Sequence, residues 1–102
     1  MSRVACVAIS VARQGCDQAL EKELLALVGP TLKEHGVINY AMHRDLDDPR
    51  RFVCIELWQD RASFDAHCNA PHVQEYLRRA SGLIEHSEYF PLGQITAVPG
   101  GH

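Results

Sequence analysis

The chain has 102 residues, of which 46% are hydrophobic and 23% are charged, and its formal net charge is −3. This length predicts one domain, and the composition is that of a folded globular protein. No basic cluster is present to bind nucleic acid or an anionic membrane, and no apolar run is long enough to span a bilayer. Because the first residues lack the long apolar region of a signal peptide, we expect a soluble, cytoplasmic protein.

The first third of the chain predicts a strand followed by a helix. Residues 4–12 are apolar and rich in β-branched side chains, which is typical of a strand. Apolar residues then recur at three- and four-residue steps over 19–32, which predicts a helix capped by Asp17. Proline removes a helical hydrogen bond, so we expect a kink near Gly29-Pro30. Gly36 is expected to end the helix.

The middle of the chain predicts an antiparallel hairpin. Residues 37–46 form the second predicted strand and residues 52–58 the third, and Asp47-Asp48-Pro49 between them is turn chemistry. The short connection leaves no room for a crossover, so the two strands are expected to pair directly.

The last third predicts two short helices and a final strand. Asp60 is expected to cap a helix over 62–67, and Pro71 suits the first position of a helix that Gly82 ends. The last strand is expected within 88–98, with its proline near its start or at a sheet edge.

This order of elements predicts a ferredoxin-like βαββαβ fold of the α+β class, with helices on one face of a four-stranded antiparallel sheet. We assign residues 1–98 to this domain and 99–102 to a flexible tail. One helical layer covers only one sheet face, yet both faces of strand 52–58 carry apolar residues. The sequence therefore favours a homodimer in which two sheets pack together, over a monomer with a partly apolar open face.

A candidate pocket centres on Glu56 and Trp58, which share one face of the third strand that we assign to the helices. Pairing across a turn near Asp48 would bring His43 close to Glu56. A carboxylate in an apolar site is costly unless it is paired, so Glu56 is expected to have a partner.

The functional interpretation of this cluster is a pocket for an acidic, flat organic substrate. His43 or His67 would accept a proton, since an imidazole exchanges protons near neutral pH. Trp58 and Phe64 would flank the substrate ring, and Asn39 would orient a substrate oxygen.

A structural interpretation stands beside the functional one. Glu56 can simply accept hydrogen bonds from a helix end or from His67, and Trp58 can be a core residue. His72 lies in a first helical turn, where it would face a cleft or solvent, and Tyr76 belongs to the buried stripe of the same helix.

Metal and cofactor motifs are not found in the sequence. His67 and His72 are five residues apart and straddle Pro71, so we do not expect them to share a helix face. The four cysteines form no Cys-x-x-Cys pair, and no His-Glu-x-x-His motif or glycine-rich phosphate loop is present. We therefore expect free thiols, no metal and no bound cofactor.

One set of motifs is shared with a known family: residues 34–40, residues 52–58, Asp60, Ala62, Phe64, His67 and Pro71-His72. With these motifs the chain resembles the antibiotic biosynthesis monooxygenase family, and the likeness extends over about residues 4–95. Because that family belongs to the dimeric α+β barrel proteins, the resemblance implies a ferredoxin-like fold and a homodimer.

The resemblance also implies a class of reaction. Several members of the family oxidise quinols or polycyclic phenols with molecular oxygen and use neither a metal nor a bound cofactor. Haem-degrading relatives have an asparagine in the first strand and a haem-binding histidine in the second helix. This chain has no asparagine in its first predicted strand and no histidine at the corresponding helix position, near Leu77, which disfavours haem degradation. The positions that match the family's pocket are Asn39, His43, Glu56, Trp58, His67 and His72.

Three hypotheses follow for the function. The leading one is a cofactor-independent monooxygenase that oxidises a small quinol or phenolic substrate, with His43, His67 and Glu56 as catalytic residues. The second is an isomerase or other proton-transfer enzyme for a small carbonyl metabolite, which would consume no oxygen. The third is a non-catalytic module that binds a small ligand.

Overall fold

The structure is a computed structural model that describes residues 2–96. The predicted tail and the end of the predicted last strand lie outside this range. In residues 2–96 no helix is long and apolar enough to cross a membrane. The elements in chain order are β1 (Val4–Ala12), α1 (Asp17–Ala26), α2 (Val28–Leu32), β2 (Val37–Arg44), β3 (Arg51–Trp58), α3 (Arg61–Cys68), α4 (Pro71–Ala80) and β4 (Ile84–Gly93).

The strands form one antiparallel sheet in the order β2-β3-β1-β4. Buried residues alternate with more exposed ones along β3, where Phe52, Cys54, Glu56 and Trp58 lie beneath the helices. This arrangement confirms the predicted ferredoxin-like fold and the assignment of the Glu56 and Trp58 face to the helical layer.

The first helix ends earlier than predicted. The break lies at Leu27, between α1 and α2, and not at Gly29-Pro30. Pro30 has no N–H for the carbonyl four residues back, which is that of Ala26, the last residue of α1. The predicted cap was also wrong, because Cys16 occupies the N-cap position and Asp17 is the first helical residue.

Two strand boundaries differ from the prediction. β2 ends at Arg44 because the side chain of Asp45 accepts hydrogen bonds from the backbone N–H groups of Asp47 and Asp48, which turns the chain. β4 begins at Ile84, where it pairs with the end of β1 beyond a bulge. β4 is an edge strand, which is why it tolerates Pro91.

Gly36 lies between α2 and β2 in a backbone conformation that other residues rarely adopt, with φ +85°. A Cβ atom there would lie 2.1 Å from Oγ of Ser63, a buried residue of α3. The carbonyl of Gly36 also accepts a hydrogen bond of 2.8 Å from the N–H of Gln59. Only glycine therefore lets this turn lie against the start of α3.

Gly36→Ala is expected to lower the free energy of unfolding by about 2–4 kcal/mol, the sum of backbone strain and overpacking. Gly15→Ala is the matched control, since Gly15 has φ +84° but no atom within 4 Å of the added Cβ. We expect that control to cost only about 1 kcal/mol. Urea unfolding of both variants measures the difference, and equal losses would mean that Ser63 moves aside at no cost.

Candidate functional site

A cavity of about 500 Å³ lies between the sheet and the helices. Its lining is mostly apolar, with a few polar side chains, as in small-molecule sites. Tyr40 and Glu56 line it from the sheet, and Phe64, His67 and Tyr76 line it from α3 and α4.

Glu56 is a buried carboxylate with one strong donor. Its side chain lies at the cavity wall in a residue only 6% exposed, and Oε1 accepts a 2.9 Å hydrogen bond from Nε1 of Trp58. Burial raises the pKa of Glu56, and the indole N–H only partly opposes this shift. Trp58 itself is fully buried and lies behind Glu56, so the predicted stacking of Trp58 on a substrate ring is wrong.

His67 is the central group of the site. It is 5% exposed, and its Nδ1 lies 2.7 Å from Oε2 of Glu34. Because an ionised carboxylate only accepts, Nδ1 carries the proton and Nε2 is left with a lone pair. Nε2 lies 3.9 Å from Oε1 of Glu56, too far for a hydrogen bond, and the ring packs 4.7 Å from that of Trp58.

Glu34 holds a second imidazole as well. Its Oε2 is 2.9 Å from Nε2 of His72, and the same nitrogen of His72 is 3.1 Å from Oγ1 of Thr31. The sequence predicted that His67 and His72, which straddle Pro71, would not form a same-face helical pair, and no metal site was expected from them. The chain instead places them at the end of α3 and the start of α4, so both rings converge on one carboxylate, 6.1 Å apart. His72 does not line the main cavity.

Two aromatic residues complete the cavity wall as expected. Phe64 is buried, and Tyr76 reaches the cavity from α4. The hydroxyl of Tyr76 is buried and has no partner at normal hydrogen-bond length among residues 2–96, although Ser10 lies close enough to lower its pKa. Burial raises the pKa of Tyr76, so the hydroxyl stays protonated and is available as a donor.

The predicted placement of Asn39 and His43 is wrong. Tyr40 is the residue of β2 that pairs with Glu56, and directly paired residues project to the same face. His43 pairs with Val53 and lies on the open face of the sheet, where its Nδ1 is 3.2 Å from the carbonyl oxygen of Val53. Asn39 lies on that face too and donates to the carbonyl of Ile55. Neither side chain reaches the cavity.

Sequence reasoning missed Glu34 and Tyr40. Tyr40 was not among the predicted pocket residues, and Glu34 lies in a turn where no local spacing marks it as a partner of His67. The cysteines are free, as predicted. Burial raises the pKa of the Cys6 thiol to about 12, and that of Cys54 also rises, so neither supplies a thiolate near neutral pH.

Comparisons with known proteins agree with the fold. A family model described as antibiotic biosynthesis monooxygenase matches residues 3–79, which include every site residue described above. Protein PA3566 from Pseudomonas aeruginosa is 31% identical, with a TM-score of 0.88 over 94% of this chain and 97% of that one. Protein SO0527 from Shewanella oneidensis is also 31% identical, with a TM-score of 0.88 over 91% of each chain.

A curated relative, protein sll1783 from Synechocystis, is 28% identical over 68 residues, which make up 63% of this chain and 46% of that protein. The chain thus spans about half the length of that relative. A solved structure from Mycobacterium tuberculosis, Rv0793, is 26% identical, with a TM-score of 0.87 over 93% of this chain and 97% of that one.

The buried carboxylate predicts a pH-dependent effect of Glu56→Gln. Glutamine keeps an oxygen that accepts from Trp58 but removes the charge. Because the folded pKa of Glu56 is raised above the ordinary value of 4.5, the wild type loses stability as pH rises from about 4.5 through the folded pKa. The variant should therefore gain stability relative to wild type over that window.

Urea unfolding of both proteins at a series of pH values measures this difference. Other carboxylates are common to the two proteins and cancel in it. A difference that stays constant with pH, or that falls as pH rises, would show that the carboxylate of Glu56 is not destabilised by burial.

Proposed function

This chain belongs to the antibiotic biosynthesis monooxygenase family, and we propose that it oxidises a small quinol or phenolic substrate with molecular oxygen without metal or flavin. The observation that carries the proposal is His67 at the cavity wall, with Nδ1 2.7 Å from Oε2 of Glu34. In the neutral imidazole this contact places the lone pair on Nε2. A proton acceptor fixed in this tautomer, in a largely apolar cavity, suits the deprotonation of a weakly acidic hydroxyl.

His67 starts the proposed reaction as general base. Nε2 accepts the proton of a substrate hydroxyl, and the phenolate gives one electron to O2, which yields a substrate radical and superoxide. The two radicals join in a C–O bond. Loss of the ring proton and cleavage of the O–O bond then release water. One quinol and one O2 give one hydroxyquinone and one water, and the substrate supplies all four electrons.

Two further residues have roles in this proposal. The hydroxyl of Tyr76, which makes no hydrogen bond of normal length within the described chain, donates one to the anionic substrate oxygen. Glu56, beside Nε2, stabilises the imidazolium that forms when His67 accepts the proton. Phe64 supplies apolar surface for the ring.

We further propose that two copies pack through the open faces of their sheets. That face, defined here as the outward side of β1, β3 and β4, is mostly apolar, carries His86 and Glu88 on β4, and is not covered by helices. Ile55 lies near its middle and is 44% exposed. A second copy is the simplest cover for such a surface. Its residues include Val7, Ile9, Val11, Val53, Ile55, Leu57, Phe90 and Leu92.

Ile55→Glu should convert the dimer to a monomer, because it would bury a charge at the sheet-to-sheet contact. Leu25→Glu is the control, since Leu25 is 54% exposed on α1 and should tolerate the same change. Light scattering coupled to size exclusion gives the mass of each protein. A monomeric wild type, or an Ile55→Glu protein with wild-type mass, would contradict the proposed interface.

The proposed reaction is tested by oxygen uptake against a panel of quinols and polycyclic phenols, with chelator-treated protein and 18O2. We expect one 18O atom in the product and no release of hydrogen peroxide. His67→Gln should lower kcat/KM at least about 100-fold through loss of the base. Tyr76→Phe should lower it about 10-fold or more through loss of a hydrogen bond to an anion, with no loss of stability.

His35→Ala is the control for these variants. His35 is exposed and bonds Gln59 outside the cavity, so uptake should not change. Circular dichroism establishes that each variant is folded. Wild-type turnover in folded His67→Gln would refute the assigned base. If no substrate causes oxygen uptake, the panel is extended to small carbonyl compounds. Conversion of one of these without oxygen would favour the isomerase, and binding of a compound without any product would favour the binding module.

A further inference from the structure

One side-chain cluster has a chemistry that the proposed oxidation does not use. Oε2 of Glu34, Nδ1 of His67 and Nε2 of His72 all lie within 4.8 Å of one another. The carboxylate oxygen is 2.7 Å from the first nitrogen and 2.9 Å from the second. Two imidazole nitrogens and one carboxylate oxygen are a ligand set that zinc and neighbouring divalent metals favour.

The cluster lies on the outer side of His67, away from the cavity. Its three residues come from three segments: the turn after α2, the end of α3 and the start of α4. Glu34 and His72 do not line the main cavity, and their side chains are 15% and 24% exposed. An ion can therefore reach the cluster from solvent without entering the substrate cavity.

Holding an ion requires the three ligand atoms to rearrange. Ligands at about 2.0–2.1 Å from a tetrahedral zinc are roughly 3.3 Å from each other, so the carboxylate must separate from the two nitrogens by about 0.5 Å. The two nitrogens lie within 4.8 Å of each other and must approach by up to about 1.5 Å. Three protein ligands leave one position for water. Oγ1 of Thr31, 3.1 Å from Nε2 of His72, is placed to hydrogen-bond that water.

We propose that Glu34, His67 and His72 bind one divalent ion of the zinc class. Binding through Nδ1 moves the proton of His67 to Nε2, so the imidazole stays neutral and its N–H turns toward Oε1 of Glu56, now 3.9 Å away. A carboxylate that accepts from the far nitrogen of a metal-bound histidine is the usual second layer of such sites. Trp58 holds Glu56 in position for it.

The ion and the proposed base exclude each other. A His67 that carries its proton on Nε2 and a metal on Nδ1 has no lone pair to accept a substrate proton. Metal occupancy should therefore switch off the oxidation. This consequence rests on the proposed function, whereas the binding of the ion does not.

The binding is tested on untagged, chelator-treated, full-length protein titrated with Co2+, followed by its visible absorption, and with Zn2+ by calorimetry. We expect one ion per chain. Glu56→Gln should weaken binding about 10–100-fold, as removal of a second-layer partner does, and His72→Ala and Glu34→Gln should weaken it further. His35→Ala and Cys68→Ser should bind as wild type, which excludes an exposed histidine and the neighbouring thiol as ligands.

The proposal is overturned if the wild type binds no stoichiometric ion, if folded His72→Ala and Glu34→Gln keep wild-type affinity, or if Cys68→Ser abolishes binding. The consequence for catalysis is tested apart from this. Zn2+ should inhibit oxygen uptake by wild type but not the residual uptake of His72→Ala. If no substrate is oxidised at all, the titrations still decide whether the ion binds.

Discussion

The arrangement on which the rest of the site depends is one imidazole between two carboxylates. His67 has Glu34 at 2.7 Å from Nδ1 and Glu56 at 3.9 Å from Nε2. A carboxylate withdrawn from water is costly unless donors replace the lost hydration. Trp58 donates to Glu56, and His67 and His72 both bind Glu34. The site is therefore complete only when the sheet and both C-terminal helices have come together.

The sheet separates this polar site from the surface that we propose for dimerisation. β1 and β3 are the central strands, and their alternating side chains face either the helices or the open side. The helix side must accommodate a cavity of about 500 Å³, and unfilled volume removes packing contacts from an already small core. A domain of this size has a small stability margin, so burial of the open face by a second copy would offset part of that loss.

Much of the fold could be predicted from local patterns, because each pattern depends only on residues that are close together in the sequence. The alternation along β3 assigned Glu56 and Trp58 to the helical side, and the Asp60 cap accepts from the N–H of Ser63 as predicted. The face of β2 could not be predicted in this way. A period of two defines two faces but not which of them matches the neighbouring strand. That match follows from the turn, which pairs Arg44 with Phe52 and therefore Tyr40 with Glu56. Tyr40 thereby took the position that the prediction gave to His43.

The convergence of His67 and His72 on Glu34 could not be predicted from the sequence, for a different reason. Spacing rules for metal and catalytic motifs assume one regular element, whereas the chain breaks between α3 and α4 and brings both rings to a carboxylate 33 residues away from His67. Because of the same break, Nδ1 of His67 and Nε2 of His72 share one partner, Oε2 of Glu34. A proton and a metal ion compete for that nitrogen, and only the protonated state leaves Nε2 free. Under our two proposals, Glu34 therefore both orients His67 as the base and helps to bind the metal ion that would inhibit it.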